Sequence, residues 1–198
     1  MSSEFKQLSK RIAFLETSLL PIEKPNGNYT RREEDLIKAY ILLVHAEIEA
    51  FLETIAENKM QAALGKWENA NRSSICLTSV LSFCPVNENF AKKNKNDKDN
   101  LTKRIKHSIS IFFQILVKNN GIKRDNILKI LLPLGISIDD LDVTWLNTME
   151  SFGSSRGDIA HKSFKVNNQI DPKTEKDKIN KQILPELRNI YELVKKLK

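Results

Sequence analysis

The 198-residue sequence contains few of the residues that build tight turns, disulfide frameworks or membrane spans. Six glycines and six prolines are too few for the many turns of an all-β fold. The longest apolar runs, such as AYILLVHA, are much shorter than the roughly 20 residues that cross a bilayer. The first residues, MSSEFKQLSKR, lack the apolar core of a signal peptide. We therefore predict a helical protein that stays in the cytoplasm and does not associate with membranes.

Cysteine is also scarce. Cys76 and Cys84 lie eight residues apart on one predicted helix, without the cysteine and histidine spacing typical of zinc sites. We expect two buried thiols, no metal site and no cofactor.

The length is typical of one compact domain, which we expect to span residues 1–198. Basic residues exceed acidic residues by seven, and the segment from Lys92 to Lys106 holds seven basic and two acidic residues. This segment begins in a basic polar loop at about 86–100. It is typical either of a solvated loop leading into a helix or of a patch that contacts nucleic-acid phosphates.

Apolar residues recur at helical spacing along most of the chain. One stripe predicts a helix over residues 29–58, with Thr30 and Glu33 as a capping box at its start. Further helices are predicted from Trp67 to Phe83, after a boundary at Gly65, and over residues 101–116. A short helix over 124–132 should break at Pro133 and Gly135.

The last third of the sequence also has apolar residues at helical spacing. A helix over 141–152 is predicted to begin at a cap of Asp139 or Asp140. The apolar stripe over 179–197 contains Pro185, which either kinks that helix or opens its main part. No strand-like alternation of useful length is present, so the sequence predicts an all-α fold, an antiparallel bundle of five to seven helices.

The segment SSRGDIAHKSF, residues 154–164, combines an arginine, an aspartate and one of only three histidines. If the preceding helix continues, Arg156 lies on its inward side, where a cation needs an acid, backbone carbonyls or a phosphate. His161 is about 140° further around such a helix, so the two side chains converge only if the helix ends or tightens between them. Asp158 could accept a hydrogen bond from the ring of His161. Alternatively, Arg156 and His161 simply cap and bridge helix ends.

Glu47 follows the inward rhythm of Val44 and Phe51, which predicts a buried carboxylate that pairs with Arg156 or orients it. The alternative is a residue on the helix flank that is bonded to a neighbouring lysine. Glu49 is expected to face solvent, and His45 and His107 are expected to be structural residues.

The hexapeptide RGDIAH resembles the motif of HEPN domains, in which an arginine is followed after four to six residues by a histidine. AYILLVHAEIEAFLE is similar to the long early helix of that family. NGIKRDNILKILLPLGISIDDLDVTWLNTMESF is similar to the segment that leads to the motif in the RiboL-PSP and related microbial HEPN groups.

The resemblance implies metal-independent cleavage of RNA at a site shared across a homodimer. It assigns catalysis to Arg156 and His161, and we add Asp158 and Glu47 as candidate catalytic residues and Lys162, Lys103, Arg104 and Lys106 as candidate RNA-binding residues. Attack by a ribose 2′-hydroxyl requires a base, an acid and stabilisation of the phosphate charge. Because one copy supplies a single motif imidazole, two facing copies complete the set. The expected product carries a 2′,3′-cyclic phosphate.

The sequence departs from the family pattern directly after the motif arginine. RNA-cleaving members usually have a polar residue there, often Asn, Asp or His, and this chain has Gly157. The resemblance favours a toxin or antiphage ribonuclease, with an antitoxin or another regulatory protein as a further partner. The alternative is a non-catalytic HEPN adaptor that dimerises and binds RNA or a partner protein, and a more distant one is a helical scaffold unrelated to nucleic acid.

Overall fold

The computed structural model describes residues 3–85, 100–162 and 170–198, without the side chains of Asn100, His161 and Lys162. The predicted basic loop at about 86–100 therefore lies almost entirely outside the described residues. The all-α prediction is confirmed, since the described residues contain helices and no strand. The described residues form seven helices, which are α1 (Glu4–Leu19), α2 (Arg31–Ala70), α3 (Ile75–Phe83), α4 (Asn100–Val117), α5 (Arg124–Leu131), α6 (Val143–Lys162) and α7 (172–196).

The chain divides into two compact units, and α2 contributes to both of them. Unit 1 consists of Met1–Phe51, Gly121–Arg124 and Leu141–Ile190, whereas unit 2 consists of Leu52–Asn120, Asp125–Asp140 and Tyr191–Lys198. The expectation of a single domain over residues 1–198 stays a prediction. No helix in the described ranges is both long enough and apolar enough to span a bilayer.

Unit 1 contains the motif and has a core built from one apolar stripe of each helix. Helix α2 buries its stripe because its inward residues recur every three or four positions. Its buried residues include Ile12 of α1, Ile37, Tyr40, Val44 and Ile48 of α2, Trp145, Met149 and Phe152 of α6, and Ile179 and Ile183 of α7.

Unit 2 packs α3 against α4 and against the 3₁₀ turn Leu132–Leu134 that follows α5. Gly135 ends this turn with φ at 94°, a left-handed conformation that favours glycine. A Cβ atom there would also collide with Cγ2 of Ile75, so the close packing of α3 requires glycine. Cys76 and Cys84 are free and buried, as predicted. Burial raises the pKa of both thiols.

The capping box at the start of α2 is confirmed. The backbone N–H of Glu33 donates to the hydroxyl of Thr30 at 3.3 Å, and the N–H of Thr30 donates to the Glu33 carboxylate at 2.7 Å. Lys24 also donates to that carboxylate, and these hydrogen bonds lower the pKa of Glu33 to about 2. The helix starts at Arg31 because the backbone N–H groups of Thr30 and Glu33 both have hydrogen-bond acceptors in this box.

Two predicted boundaries are wrong. Helix α2 runs through Gly65 as far as Ala70, and α3 begins separately at Ile75, where the Ser74 hydroxyl caps the Leu77 N–H. The predicted single helix from Trp67 to Phe83 is therefore two helices. An isolated glycine lowers helix stability by only about 1 kcal/mol, which packing of the flanking turns offsets.

Helix α7 begins as Pro172–Asp177, continues through the π-helical turn Lys178–Ile183, and ends as Leu184–Lys196. Pro185 lies at the second residue of the last segment. It therefore opens the main part of the helix, which was one of the two predicted outcomes. Proline lacks the N–H that an α-helix would use, and the wider turn accommodates that loss.

Candidate functional site

Helix α6 carries the whole motif as uninterrupted helix. It is capped by Asp142, whose carboxylate accepts a hydrogen bond from the Trp145 N–H at 2.7 Å, and not by the predicted Asp139 or Asp140. The helix continues through GSSRG, and the hydroxyls of Ser151 and Ser155 donate to carbonyls four residues back, each at 3.0 Å. The helix does not end between positions 156 and 161, so these positions lie about 140° apart around it.

Arg156 lies on the same side of α6 as the buried residues Phe152 and Ile159, as the sequence predicted, and it is half-buried. Among the described residues, no acidic side chain forms an ion pair with Arg156. A half-buried guanidinium without an acid keeps its hydrogen-bond donors available to an anion. Its planar fork matches the oxygens of a phosphate.

His45 of α2 lies beside the motif helix. The side chain is fully enclosed, with the residue 1% exposed, and its ring contacts Phe152 at 6.2 Å between ring centroids. Burial, together with the nearby positive charge of Arg156, lowers the pKa of His45 to about 4. The imidazole is therefore neutral at physiological pH. A neutral ring presents one donor and one acceptor, whereas a protonated ring presents only donors.

Glu49 lies one turn after His45 on the same flank of α2. Its Oε2 atom is 3.7 Å from Nδ1 of His45, and its carboxylate accepts a hydrogen bond from the backbone N–H of Gly121. The expectation that Glu49 faces solvent is wrong, because its side chain is only 17% exposed. The acid on the motif side of α2 is therefore Glu49.

Glu47 emerges on the other flank of α2. It accepts a hydrogen bond from Nε of Arg11 on α1 at 2.9 Å, and its side chain is 32% exposed. The predicted buried pairing of Glu47 with Arg156 is thus corrected. The physical reason is that two residues advance a helix by about 200°, so Glu47 and Glu49 leave α2 on opposite sides of its buried stripe. A catalytic role for Glu47 stays a prediction.

The remaining predicted residues are placed as follows. Asp158 is exposed on α6, one turn before position 161. The backbone of His161 and Lys162 forms the end of α6, but their side chains lie outside the described residues. Lys103, Arg104 and Lys106 are exposed on α4 in unit 2, and Lys106 forms an ion pair with Glu68 at 2.6 Å. The structure therefore describes Arg156 within unit 1 and these three basic residues within unit 2.

The chain matches a known protein family over nearly its whole length. The RiboL-PSP-HEPN family model matches residues 3–196, which include both units and the complete motif. The chain belongs to the RiboL-PSP-HEPN family. HEPN domains are generally associated with ribonuclease activity. Neither the curated proteins nor the solved structures compared with this HEPN chain include a match.

Sequence reasoning missed the proximity of two α2 side chains in this HEPN domain. His45 was interpreted as structural and Glu49 as exposed, although the four-residue spacing between them was visible. Such spacing places two polar side chains on one flank of a helix. The flank that faces α6 could not be identified from periodicity, because both flanks border the same apolar stripe.

Proposed function

We propose that this HEPN protein is a metal-independent endoribonuclease in which Arg156 and His161 act on the RNA backbone. The observation that carries the proposal is the half-buried Arg156, without an acidic partner among the described residues, within a complete RGDIAH motif. A guanidinium without a carboxylate partner among the described residues can bind the phosphate that is to be cleaved. Family membership supports ribonuclease activity as the class of reaction.

The proposed reaction needs no cofactor. A base removes the proton of a ribose 2′-hydroxyl, and the 2′-oxygen forms a bond to the adjacent phosphorus. The bond from phosphorus to the 5′-oxygen breaks, and that oxygen receives a proton from an acid. The products are a 2′,3′-cyclic phosphate and a 5′-hydroxyl. Arg156 stabilises the charge on the non-bridging phosphate oxygens.

The site is proposed to be shared by two copies of the chain. One His161 supplies a single acid–base group, whereas the reaction needs both a base and an acid. The helical backbone of α6 supports this requirement, because positions 156 and 161 lie about 140° apart on one copy. A two-fold axis would place the same motif on both sides of one RNA strand.

The test is RNA cleavage by the purified protein in the presence of EDTA. Arg156→Gln and His161→Gln should each abolish cleavage while the circular dichroism spectrum and melting temperature stay close to wild type. Arg156→Lys is the matched control for charge, and it should recover only part of the activity because it lacks the fork. Wild-type cleavage rates in both glutamine variants would overturn the assignment.

A non-catalytic HEPN domain that dimerises and binds RNA or a partner protein is the second candidate, and Gly157 is the observation that favours it. The family's RNA-cleaving members usually place a polar side chain at this position. Gel-shift binding of RNA without cleavage, and expression without growth arrest, would support this candidate.

In the leading proposal the protein is a toxin or antiphage effector, and an antitoxin or other regulatory protein restrains it.

A further inference from the structure

His45 is a buried polar residue of unit 1 with an unsatisfied ring nitrogen. Its Nδ1 atom is inaccessible to solvent and has no hydrogen-bond partner among the described residues, because Glu49 at 3.7 Å is too distant for a normal hydrogen bond. An unsatisfied buried polar atom destabilises a fold, because its hydrogen bond to water is lost without replacement. Such groups call for an explanation, and a role in catalysis is one of those recognised.

The surroundings of His45 indicate what that role is. Glu49 is held in place by the Gly121 N–H and lies on the Nδ1 side of the ring. Phe152 contacts the ring from α6, and the positive charge of Arg156, one turn further along α6, acts on it. The imidazole therefore has a fixed carboxylate near Nδ1 and contacts the helix that carries the motif arginine.

We propose that His45 is a positioning residue that orients the guanidinium of Arg156 toward the RNA phosphate. A carboxylate near Nδ1 favours the tautomer with the proton on that nitrogen, which leaves Nε2 as an acceptor for an arginine N–H. Glu49 thereby fixes the tautomer of His45, and the acceptor nitrogen of His45 in turn orients the guanidinium of Arg156. A neutral acceptor suits this task, because a carboxylate in direct contact would compete with the phosphate for the guanidinium. The proposal rests on the proposed ribonuclease function and adds residues to the same site.

The first test needs no enzymatic activity. The titration of His45 is followed by NMR on the full chain, in wild type and in Arg156→Gln. Removing the positive charge should raise the pKa of His45, because that charge helps to lower it. An unchanged pKa would overturn the proposal even if the protein cleaves RNA.

The second test uses cleavage of a short RNA. His45→Leu keeps a similar volume but removes the acceptor, and it should lower kcat by about tenfold or more with little change in KM. His45→Gln restores a side-chain acceptor and should recover cleavage to within about threefold of wild type. His107→Gln, on α4, is the matched histidine control and should cleave like wild type. Equal rates for His45→Leu and wild type, or equal losses for His45→Leu and His45→Gln, would overturn the proposal.

These tests separate the two proposals. If wild type fails to cleave any RNA in EDTA, the ribonuclease proposal fails, while the titration still decides whether His45 and Arg156 interact. If wild type cleaves and the titration and the His45 variants give the contrary results, only the positioning role fails.

Discussion

Gly153 of α6 packs directly against Lys123, so that a Cβ atom at position 153 would lie 2.8 Å from Cγ of that lysine and 3.4 Å from its backbone nitrogen. Gly157, one turn later on the same helix, has no described atom within 4 Å of an added Cβ. Both glycines are helical, but only the first is required by a close approach.

Alanine substitutions at these two glycines are therefore expected to have opposite effects on the free energy of unfolding. Gly157→Ala should stabilise the protein by about 0.5–1 kcal/mol, since alanine favours the helix and meets no neighbour. Gly153→Ala should destabilise it, because Lys123 or the helix must shift. Thermal and urea unfolding measure both. Equal effects of the two substitutions would contradict the packing described for α6.

The space around Gly157 also permits a test of the departure from the family pattern. Gly157→Asn introduces the kind of polar residue that RNA-cleaving relatives carry, in a position with room for it. If Gly157 limits catalysis, the substitution should raise the cleavage rate while the fold is retained. A lower rate in a folded variant would show that glycine is preferred after this arginine.

Stability should depend on pH through His45. Its pKa falls from 6.5 to about 4 on folding, so between these values the unfolded chain binds more protons than the folded chain. The free energy of unfolding should therefore decrease as the pH falls from about 6.5 to about 4, by on the order of 1–3 kcal/mol from this group. Urea unfolding across this range measures the effect. His45→Leu should have a smaller slope than wild type, and an identical slope would contradict a buried, neutral His45.

The ion pair between Glu47 and Arg11 is partly exposed, and such pairs usually contribute at most about 1 kcal/mol. Glu47→Gln should therefore change the free energy of unfolding only slightly. It should also leave RNA cleavage within about twofold of wild type, because Glu47 is on the flank of α2 away from Glu49. A tenfold loss of cleavage in a folded Glu47→Gln variant would restore the catalytic role first expected for this carboxylate.

The exposed basic residues of α4 lead to a prediction about how RNA binding depends on salt concentration. If Lys103 and Arg104 contact RNA phosphates, replacing either with glutamine should weaken RNA binding regardless of sequence and reduce the salt slope by about one. Lys10→Gln on α1, also an exposed lysine, is the matched control. Slopes equal to wild type in both α4 variants would favour the solvated-loop interpretation of this segment.

The parts of the fold that could be predicted from sequence are those governed by local rules. The capping box of Thr30 and Glu33, the break at Pro133 and Gly135, and the inward position of Arg156 all follow from neighbouring residues. Gly65 misled the prediction, because one glycine is a weak signal when tertiary packing supports a long helix.

The candidate site was only partly predictable for a different reason. Motif spacing located Arg156 and His161 along the chain, but His45 and Glu49 of α2 lie more than 100 residues earlier. Which flank of α2 faces α6 depends on how whole helices pack. The apolar rhythm predicted an inward Glu47 and an exposed Glu49, whereas the packing pairs Glu47 with Arg11 and places Glu49 near His45.

The central claim, RNA cleavage by attack of a ribose 2′-hydroxyl at a site containing Arg156 and His161, is tested most directly by the ends of the RNA fragments. Wild-type protein in EDTA should leave a 2′,3′-cyclic phosphate on the upstream fragment and a 5′-hydroxyl on the downstream fragment, as mass spectrometry of the products would show, and Arg156→Gln should leave the RNA intact. Fragments that carry a 3′-hydroxyl and a 5′-phosphate, or unchanged cleavage by Arg156→Gln, would contradict it.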